Sequence, residues 1–362
     1  MAEIRPYRID VPQADLDDLK ARLARTRFTD ELPDAGEDYG VSAGRVRRMV
    51  EHLRDVFDWR ALEARLNAHP QFTTEIDGQN VHFFHIRSAK EDALPLVLTH
   101  GWPGTALEYV EVIEPLSRDF HLVIPSVPGF GFSGPTTERG WNAARVAAAW
   151  AELMKRLGYD RYGAVGNDGG SIVTPYIGRL DPEHAVALHV TQIFSFPSGD
   201  PAEFEGLSEE DMGRVRFLQS FWETMGAFNT MQSQAPQTLA HALADSPAGL
   251  LGWMGQLMGE ELGIDWAVSN IAVHWLYGTA ASSARFYYEN AKLEQPAEPT
   301  TVPIGLANFA NDFQSIRRFA ERDHTNIAQW NFYDVGGHYA AHEVPEVFAQ
   351  DVRDFFARWN AE

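Results

Sequence analysis

The stretch YGAVGNDGGS, Tyr162 to Ser171, decides how the rest of the chain is read. An apolar, strand-like run enters Gly166, and a helix can start after Gly170. The spacing Gly166-x-Asp168-x-Gly170 puts one carboxylate at the apex of a tight strand-to-helix elbow. A residue at such an apex sits in a strained turn, so its neighbours must carry almost no side chain. The helix N-terminus behind it favours negative charge. Taken alone, the pentapeptide reads equally well as a plain glycine-rich turn.

Outward from this elbow the chain alternates. VHFFHI (81–86), PLVLT (95–99), FHLVIPS (120–126), RYGAVGN (161–167), AVALHV (185–190), TVPIGLA (301–307) and QWNFYDV (329–335) are short apolar runs bounded by turn residues. Helical stretches such as Asn142 to Leu157 and Val344 to Trp359 separate many of them. Strands alternating with helices predict an α/β fold, a mostly parallel sheet with helices on both faces. Residues 12–25 and 43–66 read as helices, so the first seventy-odd residues form a helical lead segment. Residues 195–295 break the alternation and are rich in Met, Trp, Phe and Gly. An all-helical insertion between sheet strands reads as a cap over the carboxyl ends of the strands, where ligands bind in such sheets.

Composition removes several classes. The 362 residues contain no cysteine, which excludes disulfides, thiolate nucleophiles and Cys-based metal sites. A formal net charge of −21 disfavours nucleic acid and anionic membranes as partners. No apolar run approaches the roughly 20 residues of a membrane span. The N-terminus lacks a signal-peptide core, so a cytoplasmic location is expected.

An aspartate at the elbow implies particular chemistry. Its ordinary pKa, about 3.9, leaves it ionised at neutral pH without the help of a base. It can attack an sp³ carbon directly and form an ester on the enzyme. Epoxides and alkyl halides are suitable electrophiles. The ester then needs an activated water. LVLTHGWPG (96–104) is placed to supply half of an oxyanion hole, with the Trp102 backbone N–H as one donor and that of Gly169 as the other. In DVGGHYAAHEVPE (334–346), His338 is the candidate base and His342 its nearest rival. Asp312, in FANDFQS (309–315), is the candidate orienting acid, with Glu321, Asp323 and Asp334 as alternatives. Elbow, acid and histidine follow the chain order of α/β-hydrolases.

With these motifs in order, the chain resembles the microsomal-type epoxide hydrolases, nearly end to end. IDVPQADLDDLKARL, TRFTDELP, YGVS and DWRALEARLNAHPQF look like that family's N-terminal arm, and HGWPG, SSARFYYEN (282–290) and GGHYAAHEVPE look like further family segments. The resemblance implies an arm at 1–75, an α/β-hydrolase core at 76–194 and 296–362, and a helical cap at 195–295. It also implies a cap tyrosine that hydrogen-bonds the epoxide oxygen. By position this is Tyr287, with Tyr288 as the register alternative.

Two departures stand out. A second tyrosine, usual in a Gly-Tyr-x-x-x-Gln context, is matched by Phe228 in Gly226-Ala227-Phe228-Asn229-Thr230-Met231-Gln232. The aromatic residue usual after the nucleophile is Gly169, which is expected to open space beside Asp168. Trp102, Phe228 and Tyr288 are the pocket candidates. The expected function is cofactor-free and metal-free opening of an epoxide to a vicinal diol. The expected partners are a small apolar epoxide and, at most, a second copy of the chain. Alternative readings are a haloalkane dehalogenase, an epoxide-opening or cyclising biosynthetic enzyme, and a catalytically silent binding protein of the same fold.

Overall fold

A computed structural model describes residues 3–294 and 296–360. Among them nine strands form one sheet: β1 (Arg5–Tyr7), β2 (Gln71–Ile76), β3 (Gln79–Ile86), β4 (Pro95–Thr99), β5 (His121–Pro125), β6 (Tyr162–Gly166), β7 (Ala185–Val190), β8 (Ile304–Asn308) and β9 (Ile327–Phe332). Their spatial order is β1-β2-β3-β5-β4-β6-β7-β8-β9. The run from β5 to β9 is parallel, and β1, β2 and β3 are antiparallel. β4, β5, β6 and β8 are buried at every residue, as central parallel strands must be. Two helix pairs pack with the sheet: Ala143–Arg156 with Gly169–Leu180, and Ile113–Ser117 with Pro345–Phe356.

Each of the seven predicted apolar runs overlaps one of the strands β3 to β9, four of them containing the whole strand. β1 and β2 depart from the purely helical lead segment, because both join the sheet edge and β2 crosses the expected boundary at residue 75. β2 and β3 form a hairpin turned by Asp77 and Gly78, both at positive φ (50° and 73°). That Asp-Gly pair is a strong hairpin signal. The expected helix over 43–66 is two helices, Ala43–Asp55 and Trp59–Leu66. Asp58 starts the second by accepting a hydrogen bond from the Ala61 N–H at 3.1 Å.

Residues 201–290 contain only helices, the longest being Glu209–Thr224. Ala280–Asn290 packs on Ala227–Gln234 and Pro236–Asp245. Ala43–Asp55 of the lead segment packs on Pro247–Gly255 and Ile264–Leu276, so N-terminal helices brace the insertion from outside. Met49 fits against Gly255 so closely that a Cβ there would lie 2.9 Å from the methionine methyl. Among the described residues, no helix is long and apolar enough to cross a membrane.

Candidate active site

β6 delivers Asp168 into the elbow. Its backbone lies at φ 50°, ψ −118°, a conformation that a residue other than glycine rarely adopts. The flanking glycines are required by contact. A Cβ at Gly166 would lie 2.2 Å from the Gly170 carbonyl oxygen, and one at Gly170 would lie 1.8 Å from the Thr99 carbonyl oxygen. Either would force the turn apart.

The two carboxylate oxygens of Asp168 meet different surroundings. The Trp102 N–H donates to Oδ1 at 2.8 Å, and the nearby Gly169 N–H also favours the ionised carboxylate. Gly101 permits that approach, since a Cβ there would stand 2.1 Å from Oδ1. Oδ2 faces His338, whose Nε2 is 3.6 Å away. On the far side of the imidazole, Nδ1 donates to Asp312 Oδ1 at 2.9 Å. Asp168, His338 and Asp312 therefore come together from the ends of β6, β9 and β8. The acid and histidine loops are tied by a bridge between Asn311 and Gly337, and the Asn311 N–H donates to the Gly336 carbonyl at 3.0 Å. Gly336 makes the turn before His338 at φ 72°.

Burial and charge set the protonation states. Burial raises the Asp168 pKa, and the His338 charge with the Trp102 and Gly169 amides offsets only part of this. Burial alone would depress His338, but Asp312, Asp168 and Glu108 outweigh it and raise its pKa to about 10. Burial pulls Asp312 upward, but the His338 charge and hydrogen bonds from His338 and Gln192 hold it below the usual carboxylate range.

The rivals fall elsewhere. His342 Nε2 bonds the Leu262 carbonyl at 3.1 Å, and its ring stacks on Trp266. Glu321 pairs with Arg317, Asp323 pairs with Arg322, and Asp334 is exposed. Ser171, beyond the elbow, donates to the Gly166 carbonyl at 2.9 Å.

The helix Ala280–Asn290 brings Tyr287 against Trp102 and Phe228. Trp102 and Phe228 stack with centroids 5.5 Å apart, and Tyr287 meets both edge-on at 5.7 and 5.9 Å. Burial and the Asp168 charge hold the Tyr287 hydroxyl well above its ordinary pKa, so it stays protonated. Tyr288, one residue on and about 100° around the helix, does not join this wall. Its hydroxyl and ring are both taken by Lys292, one turn away. Gly169 also corrects an expectation, because the space beside it is filled. A Cβ there would stand 3.3 Å from Phe286 Cε1 and 3.4 Å from Gly101 Cα.

Gln192, just past the end of β7, escaped the sequence reading. Its Oε1 accepts from the Asp168 backbone N–H at 2.8 Å, and its Nε2 donates to Asp312 Oδ2, so one side chain links Asp168 to Asp312. Its only sequence signal is position, at the carboxyl end of a parallel strand. Among the described residues, no group of three or more His, Asp and Glu could hold a metal ion.

Known proteins resemble this chain over nearly its whole length. The family profile described as "Epoxide hydrolase N terminus" matches residues 4–109, and that of the alpha/beta hydrolase fold matches 95–246. A Stigmatella aurantiaca protein, provisionally named an epoxide hydrolase, is 38% identical, the alignment covering 99% of this chain and 86% of the relative. Epoxide hydrolase 1 of Sus scrofa is 29% identical over 97% of this chain and 88% of its own length. Among solved structures, the juvenile hormone epoxide hydrolase of the silkworm Bombyx mori superposes with a TM-score of 0.90 at 25% identity, covering 99% of this chain and 95% of that one. The Aspergillus niger epoxide hydrolase superposes with a TM-score of 0.89 at 28% identity, covering 98% and 96%.

Proposed function

The chain belongs to the epoxide hydrolases of the α/β-hydrolase superfamily, and from that premise we propose that it opens its epoxide through a covalent ester on Asp168. The observation that carries this reading is the division of labour between the two oxygens of Asp168. Oδ1 is held by the Trp102 backbone amide, and Oδ2 is left to react beside His338.

In the first half-reaction Oδ2 bonds to one epoxide carbon, and the C–O bond at that carbon breaks. The released oxygen takes the proton of Tyr287, the acid on the opposite wall. His338 enters this step as an imidazolium and gives up its proton to restore Tyr287, which leaves a neutral base. In the second half-reaction His338 Nε2 takes a proton from water as the water oxygen bonds to the ester carbon. The Trp102 and Gly169 amides hold the charge that develops on Oδ1. As the tetrahedral species collapses, the ester C–O bond breaks and the diol oxygen takes the hydroxyl proton. Asp168 returns as a carboxylate and His338 as an imidazolium. Asp312 orients the ring and balances its charge.

The wall of Trp102, Phe228 and Tyr287 suits a small apolar epoxide. A single turnover in ¹⁸O water tests the scheme. The solvent oxygen is expected in the Asp168 carboxylate, and the first diol released is expected without it. His338→Gln is expected to accumulate a protein species heavier by one molecule of styrene oxide. Direct entry of solvent oxygen into the first diol would overturn the ester.

A further inference from the structure

Glu108 follows the HGWPG loop in the turn Ala106–Val112 and is 1% exposed. Among the described residues, neither of its carboxyl oxygens has a hydrogen-bond partner. Two further buried polar atoms near it share that condition, Asn167 Nδ2 and Tyr339 Oη. Leaving such groups unbonded costs stability, and buried polar groups generally find a partner in protein or ordered water.

Their arrangement is directed. Asn167 precedes the nucleophile, and its Oδ1 is already occupied, accepting from Thr191 Oγ1 at 2.5 Å and Gln192 Nε2 at 2.8 Å. Its amide NH₂ is thereby turned the other way, toward Glu108, whose carboxyl it and the Gly101 backbone N–H draw down in pKa without reaching full hydrogen-bond geometry. Glu108 Oε2 and Tyr339 Cε1 both lie 3.4 Å from the place a Cβ would take on Gly104. The Tyr339 ring packs edge-on against the His338 imidazole at 4.9 Å. Glu108 is also among the groups that raise His338.

We propose that Glu108 and Asn167, beside His338 and under the HGWPG loop, form a polar pocket that holds and orients the water consumed in the second half-reaction. A water there donates one hydrogen to a Glu108 oxygen and accepts from Asn167 Nδ2, and its second hydrogen is free for His338 Nε2. Glu108 is then a positioning residue, acting through water on the hydrolysis of the ester and not on its formation. This inference rests on the Asp168 ester of the preceding section.

Burial pushes Glu108 up to about 8, partly offset by His338 and by Asn167. The charged or titratable groups that act with it are His338, Asp168, Tyr109 and Tyr339. A carboxyl changing charge near pH 8 beside the attacking water leaves a mark on the hydrolysis step alone.

Stopped-flow tryptophan fluorescence and quenched-flow mass spectrometry with styrene oxide separate the two half-reactions. In Glu108→Gln, ester formation is expected at the wild-type rate. Ester hydrolysis is expected to slow by about 10- to 100-fold, with loss of the rate change near pH 8. Glu108→Leu fills the same space without a polar group and provides the decision should the glutamine variant fail to fold. It is expected to melt higher than wild type yet to accumulate ester. Wild-type hydrolysis in either variant, or equal slowing of both half-reactions, overturns the role of Glu108 and leaves the ester standing. If wild type and His338→Gln form no ester at all, the Asp168 reading falls and takes this one with it.

Discussion

His338 Nε2 stands 3.6 Å from Oδ2 of Asp168, the oxygen that Trp102 does not hold. The pair is an imidazolium facing a carboxylate in the resting enzyme, and esterification removes one of the two charges. The same contact therefore favours protonated His338 before the epoxide is attacked and stops doing so afterwards.

A pH signature in stability follows. His338 has a folded pKa of about 10, above its usual value of about 6.5. A raised pKa contributes stability that is fully present below about pH 6.5 and is lost as pH rises toward 10. Replacing His338 with Gln is thus expected to lower the melting temperature most near pH 6 and progressively less toward pH 10. Thermal melts of both proteins across that range check this; a constant difference at every pH would contradict the charge assignment.

Asp168 carries the opposite sign. Its folded pKa is raised, so the ionised form needed for attack is a burden on the folded state once pH exceeds that pKa. Asn keeps the shape and tolerates the left-handed backbone at φ 50°. Asp168→Asn is expected to abolish turnover and to raise stability at pH 7 by about 0.5–2 kcal/mol. Denaturant unfolding beside a diol assay tests both halves. An Asp168→Asn variant less stable than wild type would mean that the aspartate stabilises the fold it reacts from.

Asp168, His338 and Asp312 were legible in the sequence because each depends on local pattern: a glycine-framed apex, a glycine-rich loop, and a loop after an apolar strand. The strands β4 to β8 were legible for a similar reason, since buried parallel strands are nearly continuous apolar runs. Contacts across the chain were not. Gln192 and Glu108 belong to no motif, and each acts on residues far away in sequence. The room beside Gly169 could not be read from the glycine itself, because Phe286, more than a hundred residues on, decides it. β1 has only three residues and its pairing partner lies more than sixty positions away, so no local period marks it.

Among the described residues, Tyr287 is the only tyrosine in the aromatic wall that meets Trp102, since Phe228 occupies the neighbouring place and Tyr288 is held by Lys292. In the proposed scheme Tyr287 is one acid where the resemblance implies two, so Tyr287→Phe is expected to slow ester formation by about 10²- to 10⁴-fold. The hydrolysis of any ester that forms should be unchanged. Phe228→Tyr adds a hydroxyl next to Tyr287 and is expected to restore part of the rate in Tyr287→Phe. Single-turnover rates in the two single variants and the double variant provide the comparison. An equal effect of Tyr287→Phe on both half-reactions would assign the tyrosine to packing.

Gly169 and Phe286 should behave as one unit. A Cβ at 169 would press on Phe286 Cε1 at 3.3 Å, so any larger side chain must displace the ring. The backbone there is not left-handed, so the obstacle is space and not backbone strain. Gly169→Trp alone is expected to destabilise by about 1–3 kcal/mol through overpacking. Phe286→Ala alone is expected to cost about 3–5 kcal/mol through the cavity it leaves. In the double variant the indole can enter the vacated volume, so the loss should fall short of the sum by at least about 1 kcal/mol. Urea unfolding of the four proteins measures the coupling. Since the exchanged groups stand beside the nucleophile, the same double variant is also expected to change preference within a panel of aryl and alkyl epoxides. Strict additivity would show that Phe286 and position 169 do not share one space.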